Sequence, residues 1–126
     1  MSQLENTMKT VLVVDDDSEM RKLIRIILSK EGYGIIEAED GSAALDIAKG
    51  KSPDLIISDI MMENVNGFML YELLHDDPVT EKIPMIFVTG TAQKAGAWDS
   101  DPNVVYLEKP INTQQLLNAV KKYCKK

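Results

Sequence analysis

Short β-branched runs and amphipathic stretches alternate along these 126 residues, and that alternation constrains the fold more than anything else in the chain. "TVLVV" (10–14), "YGIIEAE" (33–39), "PDLIISD" (53–59), "IPMIFVTG" (83–90) and "VVYLEKP" (104–110) read as strands. After the first comes a helical stripe of Met20, Leu23, Ile24, Ile27 and Leu28, stopped by Gly32. The next helix, "DGSAALDIAKGK", turns Ala44, Leu45 and Ala48 inward. A third follows Gly67 with Leu70, Leu73 and Leu74 as its stripe, closed by Asp77 and Pro78. The last starts near Asn112, with Gln115 placed as in a capping box, and buries Leu116, Val120 and Tyr123. Residues 91–103, "TAQKAGAWDSDPN", contain Gly96 and Pro102, so any fourth helix there is expected to be short, irregular or mobile, with Trp98 its main apolar group. Residues 1–9 read as a loose tail and 10–126 as one domain. Repeated strand–helix alternation predicts an α/β fold: a doubly wound five-stranded parallel sheet with right-handed crossovers, in the order 2-1-3-4-5.

Charge and composition narrow the function. The net charge is −6 and the isoelectric point about 4.7, which argues against a nucleic-acid binder. The basic end "KKYCKK" reads as a solvated helix face. Cys124 is the single cysteine, so an internal disulfide is ruled out and a reducing compartment fits. No apolar run is long enough to span a membrane, and the first residues lack the apolar core of a signal peptide. A soluble, cytoplasmic protein is expected.

The chemistry gathers at the strand ends. In "DLIISDIMMENVNG" (54–67) an apolar run ends on one carboxylate, Asp59. Alone, such an aspartate reads equally well as a turn cap. The first strand, however, ends on Asp15, Asp16 and Asp17, and the expected order makes the first and third strands neighbours. Several carboxylates in one crevice repel one another unless a cation neutralises them. With only oxygen ligands nearby, that cation would be Mg²⁺ or Mn²⁺; a solvated acidic loop is the plain alternative. The fourth strand ends on Thr89 and Gly90, and the fifth on Lys109 and Pro110. A hydroxyl, an accessible backbone N–H and an ammonium suit phosphoryl oxygens; a purely structural ion pair is the plain alternative for Lys109. His75, near the end of the third helix, lies away from these strand ends.

At this point the chain resembles the receiver domains of two-component response regulators. "VLVVDDD" (11–17), "DLIISDIMMENVNG" (54–67), "IFVTG" (86–90) and "YLEKP" (106–110) carry the likeness, which runs from about Thr10 to Lys122. The resemblance implies a flavodoxin-like fold and assigns roles by position. Asp59 matches the phosphoacceptor. Asp16 matches the direct metal ligand and Asp15 the one acting largely through water, with the backbone carbonyl of Met61 completing the set. Thr89 and Lys109 match the residues that hold the phosphoryl group. Tyr106 matches the aromatic that swings inward on activation, and Pro110 the family's cis peptide. The implied partners are a sensor histidine kinase or phosphotransfer protein and a downstream effector or output domain, with the chain a monomer or weak dimer. Two positions depart from the family: Glu63 stands where proline is usual, and Met61 is bulky at a position that tunes water attack. The resemblance implies self-catalysed phosphotransfer and dephosphorylation, not enzyme turnover of other substrates. An interaction module that takes no phosphate is the main rival. An aspartate-nucleophile phosphatase built on Asp15 and Asp17 is the other, disfavoured by Glu19 and the lack of a cap domain; an FMN-binding flavodoxin fits less well still, because an acidic crevice repels the FMN phosphate.

Overall fold

The computed structural model describes residues 8–90 and 103–124. Five parallel strands form one sheet: β1 (Thr10–Val14), β2 (Gly34–Ala38), β3 (Leu55–Asp59), β4 (Met85–Thr89) and β5 (Val104–Glu108). Their order is β2-β1-β3-β4-β5, as the alternation predicts. The described helices are α1 (Ser18–Ser29), α2 (Gly41–Lys51), α3 (Gly67–His75) and α4 (Thr113–Tyr123). The expected irregular helix, Trp98 included, falls on 91–102, outside the described residues, as do residues 1–7 of the expected tail.

Side chains of a strand alternate between faces, and here the alternation divides the core in two. Leu12, Val14, Ile56, Met85 and Phe87 pack with Ala44 and Ala48 of α2 and with Leu70, Tyr71 and Leu74 of α3. Val11, Val13, Leu55, Ile57, Ile86 and Val88 pack with Ile24 and Leu28 of α1 and with Leu116, Ala119, Val120 and Cys124 at α4. The three central strands are buried almost throughout, whereas β2 and β5 at the edges are mostly half-buried. Burial pushes the Cys124 thiol up to about 11, helped by the charge of Asp54, so it stays protonated at neutral pH.

Two stripes are narrower than the periodicity implies. Leu23 on α1 and Leu73 on α3 remain 44% and 41% exposed. A helix docked on a flat sheet buries only the positions beneath it; Leu23 and Leu73 sit on the outer flank, and Tyr71 fills the inner row of α3 instead. Tyr123, expected inside, is half-buried. Pro53 lies just before β3, and Ile83 and Pro84 lie before β4.

Each described helix opens on a side-chain cap. Asp17 accepts from the Glu19 N–H, Asp40 from Ala43, Asn66 from Met69 and Asn112 from Gln115. The loop from β3 to α3 folds back tightly: the Gly67 N–H donates to the Ile60 carbonyl at 3.0 Å. A Cβ on Gly67 would stand 2.6 Å from the Asp59 carbonyl oxygen, so only glycine lets α3 start this close to the end of β3. The site described next is shaped by that return.

Candidate functional site

All five strands run the same way, so the residues that follow β1, β3, β4 and β5 meet at one edge of the sheet. Asp15 follows β1 and is 2% exposed; Asp59 ends β3 and is 8% exposed. Asp16 is exposed. Carboxylate oxygens of Asp15, Asp16 and Asp59 all lie within 4.8 Å of one another. Asp17 takes no part in that group: it caps α1, with its carboxylate accepting from the Glu19 N–H at 2.9 Å. Glu63 is exposed on the loop after β3 and stands outside the group as well.

Lys109 follows β5, and its N–H donates to the Thr89 carbonyl at 2.7 Å, tying the ends of β4 and β5 together. Its ammonium Nζ stands 3.6 Å from Asp15 Oδ2 and 3.6 Å from Asp59 Oδ2. The peptide between Lys109 and Pro110 is cis. Thr89 is buried at the end of β4. Tyr106 lies beside Phe87, with ring centroids 5.5 Å apart. Thr89 and Tyr106 also line a groove of about 510 Å³ between β5 and α4, together with Glu108, Gln115, Asn118 and Lys122. The Met61 side chain points into solvent at 73% exposure, two residues beyond Asp59.

The Asp15 carboxyl is pushed above the usual carboxylate range, first by burial, with the charges of Asp59 and Asp16 adding to the rise; the Asp17 N–H and Lys109 pull the other way. Ionised Asp15 therefore costs the metal-free fold stability. The penalty sets in as pH rises above the unfolded value of 3.8 and is complete once pH passes the raised folded value. Asp15→Asn should accordingly raise the melting temperature of the metal-free domain at neutral pH, and the gain should shrink on acidification. Thermal scans at several pH values in a chelator check this; a neutral-pH melting temperature below the parent's would contradict it.

Three carboxylates face one ammonium, so the crevice holds excess negative charge. Every donor is a hard oxygen and nearby nitrogen is cationic. That set suits a small divalent cation such as Mg²⁺ and excludes a soft metal.

The family model for the response regulator receiver domain covers residues 11–121. The chain belongs to the response regulator receiver domain family. Among its relatives, the polar-differentiation response regulator DivK of Brucella anthropi is 33% identical over 122 residues, spanning 91% of this chain and 95% of that protein. The Vibrio cholerae chemotaxis protein CheY4 superposes with a TM-score of 0.85 at 27% identity, covering 94% of this chain and 100% of that one. A CheY-like receiver domain protein from Methanospirillum hungatei gives 0.82 at 27% identity, covering 92% and 93%. Membership places this receiver among signalling modules rather than classical enzymes. Among the described residues no helix is long and apolar enough to cross a membrane.

Of the residues singled out from the sequence, Asp15, Asp16, Asp59 and Lys109 come together, and Thr89 ends the neighbouring strand. One participant was missed. Arg21 on α1 donates from Nη1 to the Asp15 carbonyl at 2.7 Å and from Nε to Glu37 Oε1 at 3.0 Å. The available signal was Glu37, a charged residue in an otherwise apolar strand.

Proposed function

We propose that this receiver accepts a phosphoryl group on Asp59 from a phosphohistidine of a sensor kinase or phosphotransfer protein, and that the modified state controls an effector. The observation that carries this reading is the Lys109 ammonium held equally near Asp15 and Asp59 at the mouth of an oxygen-only acidic cluster. Asp15, Asp16 and Asp59, with the Met61 carbonyl, would hold a Mg²⁺ or Mn²⁺ ion. When bound, that cation neutralises charge on the transferring oxygens and aligns donor and acceptor. An Asp59 carboxylate oxygen forms the new bond to phosphorus as the P–N bond of the phosphohistidine, or the P–O bond of a small anhydride, breaks; the electron pair leaves with the donor group. Lys109 balances the growing charge on the phosphoryl oxygens. The Thr89 hydroxyl then turns toward the phosphoryl group, and Tyr106 moves into the space that Thr89 vacates. Water attack on the acyl phosphate ends the signal, with Met61 at the approach. A cytoplasmic setting fits the kinase partner and the free thiol.

Asp59→Asn should take up no phosphoryl group from a small phosphodonor in Mg²⁺, as read by intact mass. Parental labelling of that variant would reject the assignment. A parent that binds its effector equally well with and without the donor would instead favour a module that ignores phosphate.

A further inference from the structure

Besides its ion pair with Lys109, three hydrogen bonds converge on Asp15. Its N–H donates to the Ala38 carbonyl of β2 at 3.2 Å. Its Oδ1 accepts from the Asp17 N–H at 2.9 Å. Its carbonyl accepts from Arg21 Nη1 at 2.7 Å. The first two have backbone N–H donors that the fold supplies, but the third comes from a side chain that is itself clamped. Arg21 Nε donates to Glu37 Oε1 at 3.0 Å, and the other oxygen of Glu37 accepts from Arg25 Nη1 at 2.8 Å. The Arg21 and Glu37 side chains are only 18% and 27% exposed, so this pairing is shielded from bulk water.

The Asp15 carbonyl and the Asp16 N–H belong to one planar peptide unit. Holding that carbonyl fixes the plane from which Asp16 leaves. Asp16 needs such help: its exposed carboxylate has no hydrogen bond or ion pair among the described residues, yet it lies within 4.8 Å of the Asp15 and Asp59 oxygens. The backbone thus sets where its side chain starts.

We infer that Arg21 is a positioning residue of the acidic site, clamped by Glu37 and holding the Asp15–Asp16 peptide so that both carboxylates converge with Asp59 on a divalent cation. The inference rests on the reading of that cluster as a cation site and names what orients it. A guanidinium suits the task because its fork sends donors in two fixed directions, one to a carboxylate and one to a carbonyl; an ammonium is a point charge that satisfies one of them. Arg21 acts through geometry rather than charge: its guanidinium is paired with Glu37, and its contact with the site is a hydrogen bond to a backbone carbonyl rather than to a carboxylate.

Mg²⁺ or Mn²⁺ titration by calorimetry, at fixed pH and ionic strength, separates the two modes of action. Arg21→Ala and Arg21→Lys should both bind the cation about 10-fold more weakly than the parent, the lower range for loss of an outer-sphere support. In both, the Asp16 amide resonance of the metal-free protein should move. Arg25→Ala, which removes a neighbouring cation without touching Asp15, should bind like the parent. If charge were the mode of action, Arg21→Ala would bind the cation more tightly and Arg21→Lys would match the parent; either result overturns the inference. Should Arg21→Ala fail to fold, Arg21→Lys carries the same expectation with the stem and charge retained. Asp16→Asn tests the underlying cation site: parental affinity there overturns the site itself, and the role of Arg21 with it.

Discussion

Lys109→Ala is expected to slow phosphoryl uptake at Asp59 by about 100- to 1,000-fold, the usual cost of deleting one preorganised donor to developing charge. The ammonium stands 3.6 Å from both Asp15 and Asp59, and its side chain is three-quarters buried, so the interaction is screened less than a surface pair. Affinity for Mg²⁺ should stay constant or rise, because a competing cation leaves the crevice. Time courses of intact mass with a small phosphodonor, alongside metal titration, read the two effects separately. Labelling at the parental rate would remove Lys109 from the chemistry. Lost metal affinity would mean that Lys109 instead holds the acidic residues in place.

Phe87→Ala should cost about 3–5 kcal/mol, as truncation of a fully buried aromatic does. Phe87 is wholly buried on β4 and meets Phe68 edge-on at 5.4 Å, Tyr71 at 6.2 Å and Tyr106 at 5.5 Å. Its neighbours come from a strand on one side and a helix on the other, so no single segment can collapse into the space left behind. Domains of this size hold about 5–15 kcal/mol in all, and the loss is a large share of that. Denaturant unfolding should show a much lower midpoint at unchanged slope. A loss under about 1 kcal/mol, the scale of a volume-conserving swap, would show that the three aromatic neighbours refill the gap. Because Tyr106 rests on Phe87, the same variant should also blur the switch proposed for Tyr106.

Much of this was written in the local pattern. Leu12, Val14, Ile56 and Phe87 face one way while Val11, Val13, Ile57 and Val88 face the other, and β-branched runs of that length between helices leave few other sheets to build. Once β1 and β3 are neighbours, Asp15 and Asp59 must approach, so the acidic cluster followed from strand order alone. Leu23 and Leu73 were misread because periodicity reports a face and not its width; only docking on the sheet decides how much of a stripe is covered. Arg21 escaped for a different reason. Its partner in the site is a backbone carbonyl, which every residue carries, so nothing in the residue types marks Asp15 as its target. The segment 91–102 lies outside the described residues, and the expectation for it rests on its turn-forming sequence.

The most direct test of the phosphoacceptor assignment is chemical trapping. The receiver is incubated with a small phosphodonor and Mg²⁺, reduced with borohydride, digested and sequenced by mass spectrometry. Borohydride reduces an aspartyl phosphate to homoserine with release of phosphate, which marks the modified carboxyl group permanently. Conversion of Asp59 alone, lost when the Mg²⁺ is chelated, is the expected result; conversion at Asp15 or Asp16, or undiminished conversion in chelator, would contradict it.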